Sequence, residues 1–241
     1  MKIATGDIVE ILRKHAYDYY PVVPLNKSTD KIVALDLSAG NTFFNESVYS
    51  APGIFSAFIE NERMKNHATY LVGGYRENRE MYRRSNLFDK NVSDKVFPSD
   101  EPRSLHLGID IWAAAGTKVS APLGGMIHSF AYNNNFGDYG ATIILQHQLN
   151  TTNFYTLYGH LSLKDLEEKR VGQFITRGEN FAHFGPWEEN GNWPPHLHFQ
   201  IIIDIGNFVG DYPGVCKMSE AASYLANSPN PNLILKMQPG S

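Results

Sequence analysis

The chain has 241 residues, of which 42% are hydrophobic and 19% charged, and its formal net charge is −4. This composition is ordinary for a globular protein with one large or two small domains. The sequence has no basic block, which excludes nucleic acid as an expected partner. The single cysteine, Cys216, excludes a disulfide within the chain, and no apolar stretch is long enough to predict a membrane span.

Residues 1–102 are predicted to form a small α/β extension or lid that precedes a second domain at residues 103–241. Helical spacing of apolar residues indicates the helices, and short apolar runs indicate the strands. The predicted elements are helices at 6–20 and 51–64 and strands at 31–37 and 69–72. The charged stretch 75–84 is predicted to be a solvated helix or turn, and the polar, proline-containing stretch 91–102 is predicted to hold the boundary.

From residue 104 onward, short strands alternate with glycine, proline and asparagine turns, which predicts an antiparallel sandwich or barrel. The fold class expected for the whole chain is therefore α+β, mainly antiparallel β. The predicted strands are 107–112, 118–120, 126–132, 141–148, 153–160, 174–176, 180–184 and 196–204. A short helix is predicted at 163–169, and the proline-rich tail 229–240 is predicted to pack as an extended arm.

The first 24 residues lack the apolar run of a signal peptide, because charged residues such as Glu10 and Arg13 interrupt it. We therefore expect a cytoplasmic protein, or an extracytoplasmic one if a signal has been removed.

Two histidines separated by one residue, His196 and His198, begin the last predicted strand. Residues i and i+2 of a strand point to the same face, whereas in a helix they lie about 200° apart. Apolar residues alternate with these histidines at 197, 199, 201 and 203. This alternation predicts a strand that carries both imidazoles on its polar face.

The segment 105–111 alternates in the same way, with apolar residues at odd positions and His106, Gly108 and Asp110 at even ones. Two imidazoles and one carboxylate, with a fourth position left to water, make a catalytic zinc set. A further histidine, His160, follows Tyr158 in a predicted strand, and the alternation predicts that both lie on one side. Each motif alone also suits a hydrogen-bonded strand histidine, but their combination favours a metal site.

Together these motifs resemble the lysostaphin/LytM-type zinc endopeptidases. The resemblance covers about residues 104–204, and glycine-turn segments near 115–119 and 172–184 are similar to that family's duplicated hybrid motif, a β-sandwich core. The motifs that carry it are His106-x-x-x-Asp110, Tyr158-Gly-His160-Leu-Ser162 and Pro195-His196-Leu-His198-Phe199. It implies a zinc metalloendopeptidase that cuts a peptide bond in a peptidoglycan-type cross-link.

The resemblance further implies one zinc ion per chain, held by His106, Asp110 and His198, and two catalytic histidines, His160 and His196. Zinc lowers the pKa of its bound water toward ~7 and polarises a scissile carbonyl. His196 shares a strand face with His198, so we expect it to act as general base. His160 would then stabilise the oxyanion or supply a proton to the leaving amine, although the two roles could be exchanged.

Three aromatic residues, Tyr158, Trp187 and Trp193, are expected to line a substrate groove, with packing on the loop before His196 as the alternative for the tryptophans. His147 is expected to be structural or to orient a metal ligand from behind.

A second resemblance covers most of the chain, through segments 21–25, 35–38, 82–88, 210–214 and 229–234. These are similar to the peptidase-like segment of large phosphotransferase/aminotransferase fusion proteins, which implies a substrate other than cell wall and an N-terminal segment that serves as lid or support. Two other functions are weighed. One is a non-catalytic or divergent intracellular module of the same fold that binds a peptide or small ligand. The other is a lipoyl- or biotinyl-type carrier, which needs a lysine at a hairpin tip, whereas Lys118 lies in a predicted strand.

Overall fold

The computed structural model describes residues 5–88 and 101–238. Five α-helices occur in this part of the chain: α1 Thr5–Lys14, α2 Glu46–Tyr49, α3 Pro52–Lys65, α4 Ala221–Asn227 and α5 Asn232–Leu235. The first strands are β1 Ile32–Leu35, β2 Tyr70–Gly73, β3 Leu105–His106, β4 Ile109–Trp112, β5 Lys118–Ser120 and β6 Gly125–Asn133. The later strands are β7 Gly140–Leu149, β8 Thr152–Leu161, β9 Phe174–Ile175, β10 Asn180–His183, β11 His196–Ile202 and β12 Val215–Cys216. Short 3₁₀ helices lie at Met81–Arg84, Leu163–Leu166 and Met218–Glu220.

One large sheet organises the described residues, with strand order β1-β2-β4-β11-β8-β7-β6-β9. Its pairings are antiparallel except for the parallel pair β1 and β2. Two small antiparallel pairs, β10 with β5 and β12 with β3, complete the strand pairing. This arrangement confirms the prediction of an α+β chain that is mainly antiparallel β.

The N-terminal residues join this sheet directly, because β2 pairs with β4 through Leu71 opposite Trp112 and Gly73 opposite Asp110. The strand that carries Asp110 therefore has an N-terminal neighbour on one side and β11 on the other. The predicted boundary stretch 91–102 lies almost wholly outside the described residues, and the division at residue 102 stays a prediction.

The main core lies on one face of the large sheet, where Leu197, Phe199 and Ile201 pack with Ile109 and Ile111. The opposite face of β4 packs Trp112 against Phe55 of α3 and Trp193. The alternation in β11 thus separates core residues from the two histidines, as predicted. None of the helices among the described residues has the length and apolar character to cross a membrane.

Two expectations are wrong. The stretch 75–84 is not solvated, since Arg79, Met81 and Tyr82 are buried; the charge on Arg79 is compensated by carboxylates rather than by water. The tail is not simply extended, because Asn232–Leu235 forms α5 and its residues Ile234 and Leu235 join the main core.

Candidate metal centre

Donor atoms of His106, Asp110 and His198 converge on one point. Nε2 of His106 lies 3.0 Å from Nδ1 of His198 and 3.3 Å from Oδ1 of Asp110, and the latter two atoms are 3.1 Å apart. Ligands bound about 2.0–2.1 Å from a tetrahedral zinc ion are about 3.3 Å from one another. The donor set and its spacing therefore fit a zinc ion with a fourth corner left open.

Strand pairing explains why these side chains meet. Asp110 of β4 lies directly opposite His198 of β11, and opposed residues of an antiparallel pair share a face. His106 reaches the same point from β3, just before Gly108. A Cβ atom on Gly108 would lie 2.4 Å from Cε1 of His198, so this position needs glycine to leave room for the imidazole.

Hydrogen bonds fix which nitrogen of each ligand ring is free. Nδ1 of His106 lies 2.9 Å from the Gly74 carbonyl, which can only accept, so Nδ1 carries the proton and Nε2 keeps its lone pair. Nε2 of His198 lies 3.1 Å from Oε1 of Gln200, whose amide nitrogen donates to the Pro213 carbonyl. His198 therefore presents Nδ1, and both rings are oriented as metal ligands require.

Arg79 holds the third ligand from behind. Its Nη1 donates to Oδ2 of Asp110 at 2.5 Å, and its Nε donates to Glu77 at 2.5 Å. The guanidinium is completely buried and also donates to the Tyr82 hydroxyl at 3.2 Å. This contact leaves Oδ1 of Asp110 directed at His106 and His198, so the carboxylate offers one oxygen to an ion.

The two remaining imidazoles, His160 and His196, lie beside the ligand set. Nδ1 of His196 donates to the Pro194 carbonyl, and Nδ1 of His160 donates to the Asn190 carbonyl, each at 2.8 Å. Their rings are 4.1 Å apart, and Nε2 of His196 is 4.0 Å from Oδ1 of Asp110. Each ring therefore keeps the lone pair of Nε2 for proton transfer.

His160 reaches the site through an unusual backbone conformation. Its φ is +61°, in the left-handed region that residues other than glycine rarely adopt. The strand alternation breaks here, so Tyr158 and His160 do not share a side. Tyr158 instead faces the core with its ring 5.3 Å from that of Phe199, its partner on β11. Such strained residues cluster at functional sites.

Burial sets the protonation states of the site. Burial, followed by the charge of Arg79, lowers the pKa of His106 to about 4, and burial lowers the pKa of His196 to about 4. Burial and the neighbouring His196 hold the pKa of His160 well below its usual value. Burial alone would raise the pKa of Asp110, but His106 and Arg79 hold it well below its usual range. At neutral pH the rings of His106, His160 and His196 are neutral and the Asp110 carboxylate is ionised, as ligands and a general base must be.

A cavity of about 120 Å³ leads to these residues. His160, His196, His198 and Asp110 lie in its lining with Trp193. The other lining residues are Met81, Tyr82, Leu87, Phe88, Arg103, Gly137, Asp138, Tyr139, Asp211, Tyr212, Pro213, Gly214 and Val215.

Of the three aromatic residues predicted to line a substrate groove, one lies in the cavity wall and two do not. Trp193 lies in the cavity wall, where its Nε1 donates to the Asp138 carbonyl at 3.2 Å. Trp187 is 38% exposed and is not in that wall, and Tyr158 is in the core because of the break at His160. His147 does not contact a ligand: its Nδ1 donates to the Gly124 carbonyl, and its Nε2 lies 2.7 Å from the Thr156 hydroxyl.

Sequence reasoning missed Arg79, Gln200 and the Gly74 carbonyl, each of which contacts a ligand side chain. Gln200 was visible as the next polar residue on the alternating face of β11. Arg79 had no such signal, since it lies among charged residues that are typical of solvated turns.

A buried His-Asp-His cluster with two further imidazoles is typical of metallohydrolases. Residues 104–208 match the family model of peptidase family M23. This match covers less than half of the 241 residues, and over that segment the chain is similar to peptidase family M23. No curated protein matches the chain.

Several solved structures are similar to part of the chain. The catalytic domain of the antimicrobial peptidase lysostaphin from Staphylococcus simulans is 22% identical over 58% of this chain and 93% of its own, with a TM-score of 0.36. The catalytic domain of a mutant of the prophage-encoded M23 protein EnpA from Enterococcus faecalis is 19% identical over 54% of this chain and 94% of its own, with a TM-score of 0.36. A zinc-containing peptidase from Vibrio cholerae is 22% identical over 48% of this chain and 34% of its own, with a TM-score of 0.33. TM-scores this low carry no argument, and the similarity to peptidase family M23 rests on residues 104–208 alone.

Proposed function

We propose that this chain is a zinc-dependent metallopeptidase that hydrolyses a peptide or amide bond, and that the bond is of the peptidoglycan cross-link type. The observation that carries the proposal is the set of three donor atoms 3.0 to 3.3 Å apart beside two further oriented imidazoles. His106, Asp110 and His198 would hold one ion. When bound, zinc supplies a Lewis acid that polarises a carbonyl and makes water easier to deprotonate.

The other residues would move the protons. His196 is assigned as general base, because Nε2 lies on the ligand side of its ring and stacking on Trp112, with ring centroids 3.9 Å apart, fixes its orientation. His160, whose ring centroid is 4.1 Å from that of His196, would stabilise the developing oxyanion or protonate the leaving amine.

Metal analysis tests the proposal first. His106→Ala and His198→Ala are each expected to lose bound zinc, because a catalytic site has only three protein ligands. His196→Ala and His160→Ala are expected to keep zinc and to lose at least about 100-fold in kcat on glycine-rich or D-amino-acid peptides. Full activity in the His196 variant would refute its role as base.

Substrates with different leaving groups distinguish the catalytic roles of His160 and His196. An activated anilide needs less protonation of its leaving group than an amide does. If His160 is the acid, His160→Ala is expected to lower kcat less on the anilide than on the amide. His196→Ala should lower kcat equally on both substrates. The reverse pattern would exchange the two roles.

A further inference from the structure

The side chain of Gln200, which lies behind the ligand His198, is held by residues outside the segment 104–208 that matches the family model. Gln200 is fully buried, and its Oε1 lies 3.1 Å from Nε2 of His198. Its amide nitrogen donates to the Pro213 carbonyl at 3.2 Å and to the Ser228 hydroxyl at 2.9 Å. The oxygen and both hydrogens of this amide therefore have partners.

These contacts fix the direction of the Gln200 amide. A carbonyl oxygen can only accept, so the amide nitrogen must face Pro213 and the amide oxygen then faces His198. The Ser228 hydroxyl accepts from the second amide hydrogen, for which the described residues offer no other partner. Without that hydroxyl the hydrogen would be buried and unpaired, and the side chain would turn away from its present position to relieve the cost.

Ser228 is itself held in place through its backbone. It is completely buried at the end of α4, where its N–H donates to the Tyr224 carbonyl at 2.7 Å. Its own carbonyl accepts from the Tyr75 hydroxyl at 2.5 Å. Tyr75 follows Gly74, whose carbonyl orients the ligand His106. Ser228 is therefore a fixed point between the residues that orient the two imidazole ligands.

The position of the proton on the His198 ring decides whether Nδ1 can bind a metal ion. Oδ1 of Asp110 lies 3.1 Å from Nδ1 and would draw the proton to the metal side of the ring. Gln200 opposes this, because its Oε1 accepts a proton that is held on Nε2. A looser Gln200 side chain would therefore make the lone pair of Nδ1 less available to zinc.

From these contacts we infer that Ser228 is a positioning residue of the candidate metal centre, which acts through Gln200 to keep Nδ1 of His198 free for the ion. Ser228 does not line the cavity, so its loss should act on metal binding rather than on contact with the substrate. This inference rests on the proposed function of the same site.

Zinc affinity of the full chain, measured by competition with a chelator, tests the role of the hydroxyl. We expect Ser228→Ala to bind zinc about tenfold more weakly than the native protein, since groups that orient a metal ligand are typically worth 10–100-fold. Thr142→Val is the matched control, because the Thr142 hydroxyl is equally buried and also accepts from a side-chain amide, that of Asn133, at 3.1 Å. Native affinity in a folded Ser228 variant, or an equal loss in the control, would overturn the inference.

Exchange of ring protons, followed by NMR of the zinc-loaded protein with isotope-labelled histidines, separates positioning from a general loss of stability. In Ser228→Ala the proton on Nε2 of His198 is expected to exchange with solvent several times faster than in the native protein. The Nδ1 proton of His196, which the Pro194 carbonyl accepts, is the internal reference and should exchange at the native rate. Equal acceleration of both protons, or of neither, would overturn the inference.

Tyr75→Phe is the second variant, because it keeps the ring but removes the hydroxyl that holds the Ser228 carbonyl. It should shift zinc affinity and proton exchange in the same direction as Ser228→Ala, and by less. If Ser228→Ala does not fold, native values of both quantities in Tyr75→Phe would overturn the inference.

The same measurements distinguish this inference from the proposed activity. A native protein that binds zinc but cleaves no peptide would refute the activity and leave the role of Ser228 intact. A native protein that binds no zinc would refute both.

Discussion

Arg79 is the residue whose substitution best tests how the ligand set is supported. It is fully buried and donates to Asp110, so its loss would leave that carboxylate free to rotate. Groups that orient a metal ligand are typically worth 10–100-fold in metal affinity. We expect Arg79→Met to weaken zinc binding by about that factor, measured by competition with a chelator.

The matched control for this substitution is Arg83→Met, since Arg83 lies in the neighbouring 3₁₀ helix and is exposed. It should bind zinc as tightly as the native protein. Because Arg79→Met could also weaken folding, thermal denaturation of both variants with and without zinc separates the two effects. Equal zinc affinity in a folded Arg79 variant would remove this residue from the site.

Because His147 is buried, its titration is expected to make the free energy of unfolding depend on pH. Burial lowers its pKa to about 4, whereas the unfolded chain binds the proton near the usual value of about 6.5. Between these pH values the unfolded state holds more protons, so the free energy of unfolding falls as the pH drops from about 6.5 to about 4. The full interval is worth about 3 kcal/mol.

Urea unfolding of the native protein and of the His147→Gln variant at several pH values checks this expectation, because glutamine cannot titrate. Other buried histidines titrate in both proteins, so the difference between the two curves isolates His147. The native curve should be steeper below pH 6.5, and parallel curves would contradict the assignment.

At the scale of elements, the junction between β3 and β4 depends on Gly108. A methyl group there would lie within about 2.5 Å of the His198 ring and 2.9 Å from the Phe199 carbonyl. Gly108→Ala is therefore expected to displace His198 and weaken zinc binding by at least about tenfold. Gly53→Ala in α3 is the control, because its Cβ meets nothing within 4 Å and alanine favours a helix over glycine by about 1 kcal/mol.

Calorimetric zinc titration of both glycine variants gives the comparison. Native affinity in the Gly108 variant would show that β3 and β4 can move apart without disturbing the ligands.

The sequence predicts strands well where the same alternation of apolar and polar residues continues along the whole segment. Alternation in 196–202 identifies both the strand and the face that carries His196 and His198, and β5 occurs at the predicted residues. It fails at His160, where a positive φ turns the side chain out of the alternation. No periodic signal marks a single residue in the left-handed region, so Tyr158 is assigned to the wrong face.

The same limit applies to residues 75–84. Their charge predicts solvent exposure, but Glu77 and Asp110 compensate Arg79 inside the protein. Asp110 lies 31 residues away along the chain, and only the fold brings it to Arg79. Long-range ion pairs of this kind cannot be inferred from local composition.

For the whole molecule, the structure ties the N-terminal segment to the candidate metal centre. β2 pairs with β4, the Gly74 carbonyl orients His106, and Arg79 holds Asp110. A fragment that begins at residue 103 should therefore fail to unfold cooperatively and should bind zinc at least about 100-fold more weakly than the full chain. Circular dichroism melting with chelator competition measures both properties, and native zinc affinity in the fragment would show that the segment is dispensable.

X-ray absorption at the zinc edge tests the central claim most directly. For the native protein loaded with one equivalent of zinc, the account predicts only nitrogen and oxygen neighbours at about 2.0–2.1 Å, with the scattering signature of two imidazoles. In His198→Ala that spectrum should be lost. A sulfur neighbour at about 2.3 Å, or an unchanged spectrum in the His198 variant, would contradict the account.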